Sequence, residues 1–252
     1  MASSDHPPHH DQHTPAAVSA RLAAATEHSH LGDYVLGAVD GTVTTFAVVA
    51  SVAGAQLSGG VALVLGCANL LADGFSMAAG NYLKARSEAQ VVERARRAEE
   101  AHVERVPEGE REEIRQIFAA KGFSGVTLEE VVDVITKDRR RWVDTMLTEE
   151  LGHRLESPPP FRAGLATFLG FVLIGMLPLL PLLFAAGAPL TSGLFLASAA
   201  AAGVAFLAVG LLKGRTLGEP MLAAGLETLL VGGLAAFLAY VVGDALRGFL
   251  GS

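Results

Sequence analysis

The sequence predicts an all-α membrane protein: five transmembrane helices, with a cytosolic three-helix metal-binding insert between helices 2 and 3. Three observations predict the architecture. Of 252 residues, 51% are hydrophobic and only 18% charged, a bias high for a soluble domain. The charges are segregated, since 15 of the 19 Lys and Arg and 17 of the 26 Asp and Glu lie between Lys84 and Arg162. Outside that window the apolar runs reach the ~20 residues that a helix needs to cross ~30 Å of hydrocarbon. The net charge of -7 therefore belongs to the insert and tails, and it argues against nucleic acid and for cation handling. One cysteine, Cys67, excludes an intrachain disulfide framework and a cysteine-rich metal site. The expected divisions are a tail (1–30), helices 1 and 2 (31–83), the insert (84–160) and helices 3 to 5 (161–252).

The tail is polar and holds six of the eight histidines. His6, His9, His10 and His13 can collect metal, since imidazole suits several transition metals; a mobile tail with incidental histidines is the plainer reading. It lacks the basic start, apolar core and cleavage site of a signal peptide. Ala16 to His30 is expected to form a short surface helix.

The first span, Asp33 to Gln56, carries Asp40 inside an apolar run. A carboxylate in hydrocarbon costs on the order of 3 kcal/mol even on lenient scales, and such groups usually face a bundle interior and mark an ion path. The alternative is a helix cap at the membrane surface, a role Asp33 is better placed to fill. Ser58-Gly59-Gly60 turns the chain into a second span, Val61 to Leu83. On it Asp73, Met77 and Asn81 recur at i, i+4 and i+8, hence on one face. A carboxylate, a thioether and an amide on one stripe can line a metal path. Sulfur tilts the choice toward transition metals over magnesium and calcium.

From Lys84 the chain turns polar without a break signal, so the second helix is expected to continue until Pro107. Glu108 to Ala120 forms the next helix, closed by Lys121 and Gly122. Thr127-Leu128-Glu129-Glu130 reads as a capping box opening a helix to Thr136, and Arg139 to Leu155 forms another. Glu99 and His102 share a helix face at i, i+3, as do Glu110 and Glu113; Met146 shares one with Glu149 and Glu150. Turned to a common centre, these groups would bind divalent ions. Otherwise they are solvated acids paired with neighbouring arginines.

Ser157-Pro158-Pro159-Pro160 leads into the third span, Phe161 to Ala186, with kinks expected at Pro178 and Pro181. The fourth, Leu190 to Leu212, is rich in the Ala and Gly that close helix packing wants, and is expected to end at Lys213-Gly214-Arg215. The fifth, Glu219 to Val242, carries Glu227, an acid inside a span that is a further candidate for the ion path with Asp40, Asp73, Met77 and Asn81, or is only held by a neighbouring helix. Basic residues flank the spans at Lys84, Arg86, Arg162, Lys213 and Arg215, which places the N-terminus and insert in the cytosol and the C-terminus outside.

The segments DYVLGAVDGTVTTFAVVASVAGA, NLLADGFSMAAGNYL and WVDTMLTEELG resemble the vacuolar iron transporter family, and the likeness runs from Leu31 to the C-terminus. The resemblance implies a homodimer that moves Fe2+, often Mn2+ too, out of the cytosol against a proton gradient, with no permanently bound cofactor; Zn2+ and Co2+ are further candidate substrates. It also implies that Asp40 and Met77 line the path with Asp33 near its entrance, and that Glu99, Glu110, Glu113, Met146 and Glu150 are ligands of the insert. His102 falls where the family pattern has Glu, Glu227 where an uncharged polar residue is expected, and His153 is also unusual. The family name suggests a vacuole in a eukaryote; the Ala, Gly and Leu-rich spans suggest a bacterial plasma membrane. A second reading is a membrane-anchored di-iron carboxylate ferroxidase, because Glu99-x-x-His102 and Glu150-x-x-His153 fit the Glu-x-x-His pattern of such bundles.

Overall fold

The computed structural model describes residues 14–24, 30–155, 158–185 and 189–250, and contains no strand among them. The histidines of the tail, His6, His9, His10 and His13, lie outside the described residues. Ten α-helices follow in order: α1 (Pro15–Ala24), α2 (Leu31–Gly54), α3 (Gly59–Arg105), α4 (Pro107–Ala120), α5 (Gly125–Thr136), α6 (Arg139–Thr145), α7 (Pro160–Gly175), α8 (Leu180–Phe184), α9 (Ser192–Leu217) and α10 (Met221–Leu250). Five stretches are long and apolar enough to cross a membrane: α2, the first part of α3, α7 with α8, α9, and α10. The described residues form two compact units. One comprises Ala85–Pro158 with the residues before Ser29; the other comprises Ser29–Lys84 and Pro159–Ser252.

In the apolar unit α2 is the central helix, packing on α7, α9 and α10. Lipid tails are as apolar as Leu, so close packing rather than the hydrophobic effect must hold such helices together. The sequence provides for this with Gly37 and Gly41, one turn apart on α2. A Cβ on Gly37 would fall 2.0 Å from the Thr167 carbonyl oxygen, and one on Gly41 would fall 2.4 Å from that of Phe171. The two backbones therefore touch, and Phe46, Val49, Leu70, Phe171 and Phe206 fill the core around the crossing. Cys67 packs against this core as a free thiol.

The third span breaks where its prolines require. Pro178 and Pro181 lack an N–H and crowd the preceding turn, so α7 stops at Gly175, Leu177–Leu179 forms a tighter 3-10 turn, and α8 resumes at Leu180. The buried Ser198 hydroxyl, from α9, donates to the Pro178 carbonyl at 2.5 Å. Span ends differ in detail from the sequence expectation. Helix α9 runs through Lys213-Gly214-Arg215 to Leu217, because its left-handed terminator is Gly218, at φ 69°. Gly214 instead lets α9 approach α10 at Met221. Helix α3 starts at Gly59, where the Ser58 hydroxyl accepts from the Val61 N–H.

The polar unit holds the second part of α3 and helices α4 to α6. Ile114, Val132, Ile135, Trp142 and Met146 form its core, each apolar side chain contributing about 1.5–3 kcal/mol on burial. Arg115 bonds Glu112 and Glu129, and Arg111 bonds Asp133, tying α4 to α5. Helix α5 does not open on a capping box at Thr127. It begins at Gly125, whose φ of 58° turns the chain earlier, so Thr127 lies within the helix and not at its cap. The last helix of the unit is also shorter than expected. After α6, Met146–Glu150 forms a π turn, and Gly152, at φ 66°, ends it.

Candidate metal-binding sites

Two groups of polar side chains stand out, one in each unit. In the polar unit, α3 presents Glu99 and His102 one turn apart, and α4 brings Glu110 to them. Pro107 makes this possible: it stops α3 and sits in the first turn of α4, where its missing N–H costs nothing. Ligand atoms of the three residues all lie within 4.8 Å of one another. His102 Nδ1 is 3.4 Å from Glu110 Oε1 and 3.9 Å from Glu99 Oε1. Both carboxylates are buried, at 5% and 4% exposure, and the Oε2 atom of each has no hydrogen-bond partner.

Buried carboxylate oxygens without a partner are costly, and they persist only where a cation or a proton compensates them. The protonation balance shows the same strain. Burial first, then the charges of Glu113, Glu99 and Glu150, push the Glu110 carboxyl up to about 7, with His102 pulling the other way. Burial, Glu113 and Glu99 likewise raise Glu150. Four carboxylates thus share one field, and a divalent cation would relieve all of them.

The other acids and the thioether of the insert are placed differently. Glu149 forms an ion pair with Lys121. Met146 is fully buried in the apolar core beside Trp142. Glu150 and His153 do not form a Glu-x-x-His pair on one helix face, since the helix ends at Glu150 and Gly152 turns left-handed between them. The His153 N–H instead caps the turn, bonding the Leu147 carbonyl at 2.8 Å. The second arm that a di-iron carboxylate site needs is therefore not built, and the ferroxidase reading is not supported.

In the apolar unit, α2 and α3 run antiparallel with their polar residues in register. Asn81 Nδ2 lies 2.8 Å from Asp33 Oδ1 and 2.8 Å from Thr167 Oγ1. His30 Nδ1 reaches the second oxygen of Asp33 at 3.3 Å. Two turns deeper, the half-buried Asp40 has the Asp73 carboxylate as its charged neighbour. Deeper again, Asn69 donates to the Thr44 hydroxyl at 3.1 Å, and Thr44 donates to the Asp40 carbonyl at 2.9 Å. Met77 packs at the edge of the core one turn from Asp73. Asp73 itself is exposed and lines a groove with Ala47, Val48, Ser51 and Asn69.

Asn69, Asp73, Met77 and Asn81 thus continue one stripe at four-residue steps. Thr44 and Thr167 are members that the pattern of acids alone does not reveal; the GxxxG spacing of Gly37 and Gly41 was the signal that α7, and with it Thr167, comes close. Glu227 is placed elsewhere. It pairs with Lys213 at 3.2 Å and lines a groove with Leu31, Val35 and Val39.

Comparison with known proteins agrees with this layout. A family model described as the VIT family matches residues 31–244, which takes in the first four spans, most of the fifth, the membrane stripe and the insert. The chain belongs to the VIT family. Among its VIT-family relatives, a vacuolar iron transporter of Toxoplasma gondii is 34% identical over 235 residues, covering 90% of this chain and 78% of that protein. Vacuolar iron transporter 1 of Oryza sativa subsp. japonica is 34% identical over 218 residues, covering 85% and 84%. Vacuolar iron transporter 1 of Tulipa gesneriana is 31% identical over 242 residues, covering 92% and 96%. Membership of the VIT family places the chain among membrane transporters rather than classical enzymes.

Proposed function

We propose that the protein exports Fe2+, and with it Mn2+, from the cytosol in exchange for protons. The observation that carries this reading is the pair of buried, unpartnered carboxylate oxygens on Glu99 and Glu110, held beside His102. Oxygen and imidazole donors suit Fe2+, Mn2+, Co2+ and Zn2+. The insert is the cytosolic collecting domain, with Glu113 and Glu150 adding negative charge. Ions then pass along the membrane stripe, entering near Asp33 and Asn81 and meeting Asp40, Asp73 and Met77.

Two carboxylates that repel one another in hydrocarbon hold either a cation or a proton. The Asp40–Asp73 pair can therefore exchange one for the other, which is the minimum an antiporter requires. An exposed Asp73 in a membrane face that also exposes Leu71 and Phe75 is costly toward lipid, so a second copy covers it and the working unit is a homodimer. The flanking basic residues put the insert on the cytosolic side of a bacterial plasma membrane, or of a vacuolar membrane in a eukaryotic cell.

The test is Fe2+ uptake into proteoliposomes with and without an imposed pH gradient, beside Asp40→Ala. Gradient-driven uptake that the variant loses, while it elutes as a folded protein, is the expected result. Uptake indifferent to the gradient would remove the antiport, and full activity in Asp40→Ala would remove the path.

A further inference from the structure

A groove of about 710 Å³ opens on the apolar unit where α2 begins, α9 ends and α10 begins. Leu31, Val35 and Val39 line one wall at four-residue steps, and Val231 closes the opposite side. At its polar end Lys213 Nζ meets Glu227 Oε2 at 3.2 Å, with the two side chains 35% and 63% exposed. The groove shares no lining residue with the Asp40–Asp73 pair.

Its depth can be placed against the bilayer. Helix α9 has 26 residues and α10 has 30, hence lengths of about 39 and 45 Å. Centred on ~30 Å of hydrocarbon, each overhangs by several Å. Lys213 lies four residues before the end of α9, and Glu227 six residues after the start of α10. Both therefore fall at the hydrocarbon boundary, within about 2 Å. Val231 lies about 6 Å deeper on α10. The groove thus starts at headgroup level and descends into one leaflet. Apart from Lys213, Glu227, Thr216 and Thr228 the lining is apolar, so beyond its polar end the groove suits an acyl chain better than water.

The charge pair then selects the headgroup. A primary ammonium joined to a phosphate mirrors an acid beside an amine: the phosphate bonds Lys213, and the ammonium donates to Glu227. A trimethylated choline has no N–H to donate. A headgroup of net negative charge meets the Glu227 carboxylate. We propose that this groove is a binding site for a glycerophospholipid with an ethanolamine headgroup, held by Lys213 and Glu227.

The test is lipid retention. Purified full-length protein is equilibrated with mixed micelles or vesicles of equal phosphatidylethanolamine and phosphatidylcholine, re-extracted, and its bound lipid counted by native mass spectrometry. Excess ethanolamine lipid is expected on the wild type, with a melting temperature at least about 2 °C above that in choline lipid alone. Glu227→Gln is expected to lose the excess. Val35→Trp keeps the charge pair and fills the groove, and it is expected to lose bound lipid of both kinds.

Equal retention of the two lipids by the wild type would overturn the proposal, as would an ethanolamine excess that survives in both variants. Absence of retained lipid, together with an interchain disulfide formed by Val35→Cys in a Cys67→Ser background, would give the groove to a second copy and would equally overturn it.

Discussion

Asn81 reaches across 48 residues of sequence to Asp33 at 2.8 Å, and to Thr167 at 2.8 Å, so one amide ties α2, α3 and α7 together where the proposed path begins. Hydrogen bonds between membrane helices average under 1 kcal/mol and reach about 1.7. Asn81→Leu removes both, with a longer third bond to the Ala163 carbonyl at 3.3 Å, and leaves Asp33 with His30. We expect a loss of about 1–2 kcal/mol, or a melting temperature lower by a few degrees, together with slower metal uptake. Unchanged uptake at reduced stability would make Asn81 a structural tie only.

The crossing of α2 and α7 predicts a sharp contrast between glycines. Gly37→Ala would set a Cβ 2.0 Å from the Thr167 carbonyl oxygen, whereas a Cβ on Gly80 meets nothing within 4 Å. Overpacking against backbone costs about 1–3 kcal/mol or more, while Gly→Ala at an open helix position gains up to about 1 kcal/mol. Gly37→Ala should lower the melting temperature in detergent and reduce the yield of monodisperse protein. Gly80→Ala should leave both unchanged or improved.

Much of this was legible because membrane helices and their polar exceptions stand out in composition. Asp40, Asp73, Met77 and Asn81 could be found as breaks in apolar runs. Their register across α2 and α3 could not, since it depends on the turn at Ser58–Gly60. In the insert, the i, i+3 spacing of Glu99 and His102 was visible, but the arrival of Glu110 depends on how Pro107 redirects the chain. Spacing alone could not separate Glu150, which joins the acidic field, from Glu149, which pairs with Lys121. The π turn at Met146–Glu150 decides that, and nothing in the residue pattern announces it. Glu227 drew notice as an acid in a span; its Lys213 partner lies on another helix, 14 residues away.

At the proposed site the acidic field should make metal capture pH-dependent. Glu110 is raised to about 7 from an ordinary 4.5 by burial and by its acidic neighbours. The neutral form is favoured in the metal-free fold, so its stabilising share is complete below about pH 4.5 and is lost as pH rises through about 7. Metal-free protein should thus melt at lower temperature at pH 8 than at pH 5, and Glu110→Gln should flatten that slope. A divalent ion requires the carboxylate and releases its proton. Calorimetry in buffers of different ionisation enthalpy should show about one proton released per Fe2+ or Mn2+ near pH 6 and fewer at pH 8. Binding without proton release at pH 6 would remove Glu110 from the ligand set.

His102 offers the most direct manipulation of the site. The family resemblance puts Glu at this position, and His102 Nδ1 stands 3.4 Å from Glu110 and 3.9 Å from Glu99. His102→Glu adds a negative charge where two buried oxygens already lack partners. Without metal the added repulsion should lower the melting temperature and raise Glu110 further. With metal the added charge attracts the ion. At pH 8 we expect Mn2+ to bind about tenfold more tightly than in the wild type, about 1.4 kcal/mol. His102→Ala should bind more weakly than either while leaving the Met146 core folded. The order Glu, His, Ala in affinity, set against the reverse order of Glu and His in metal-free stability, separates a ligand from a packing residue. If all three variants bound Mn2+ equally, His102 would lie beside the site and not in it.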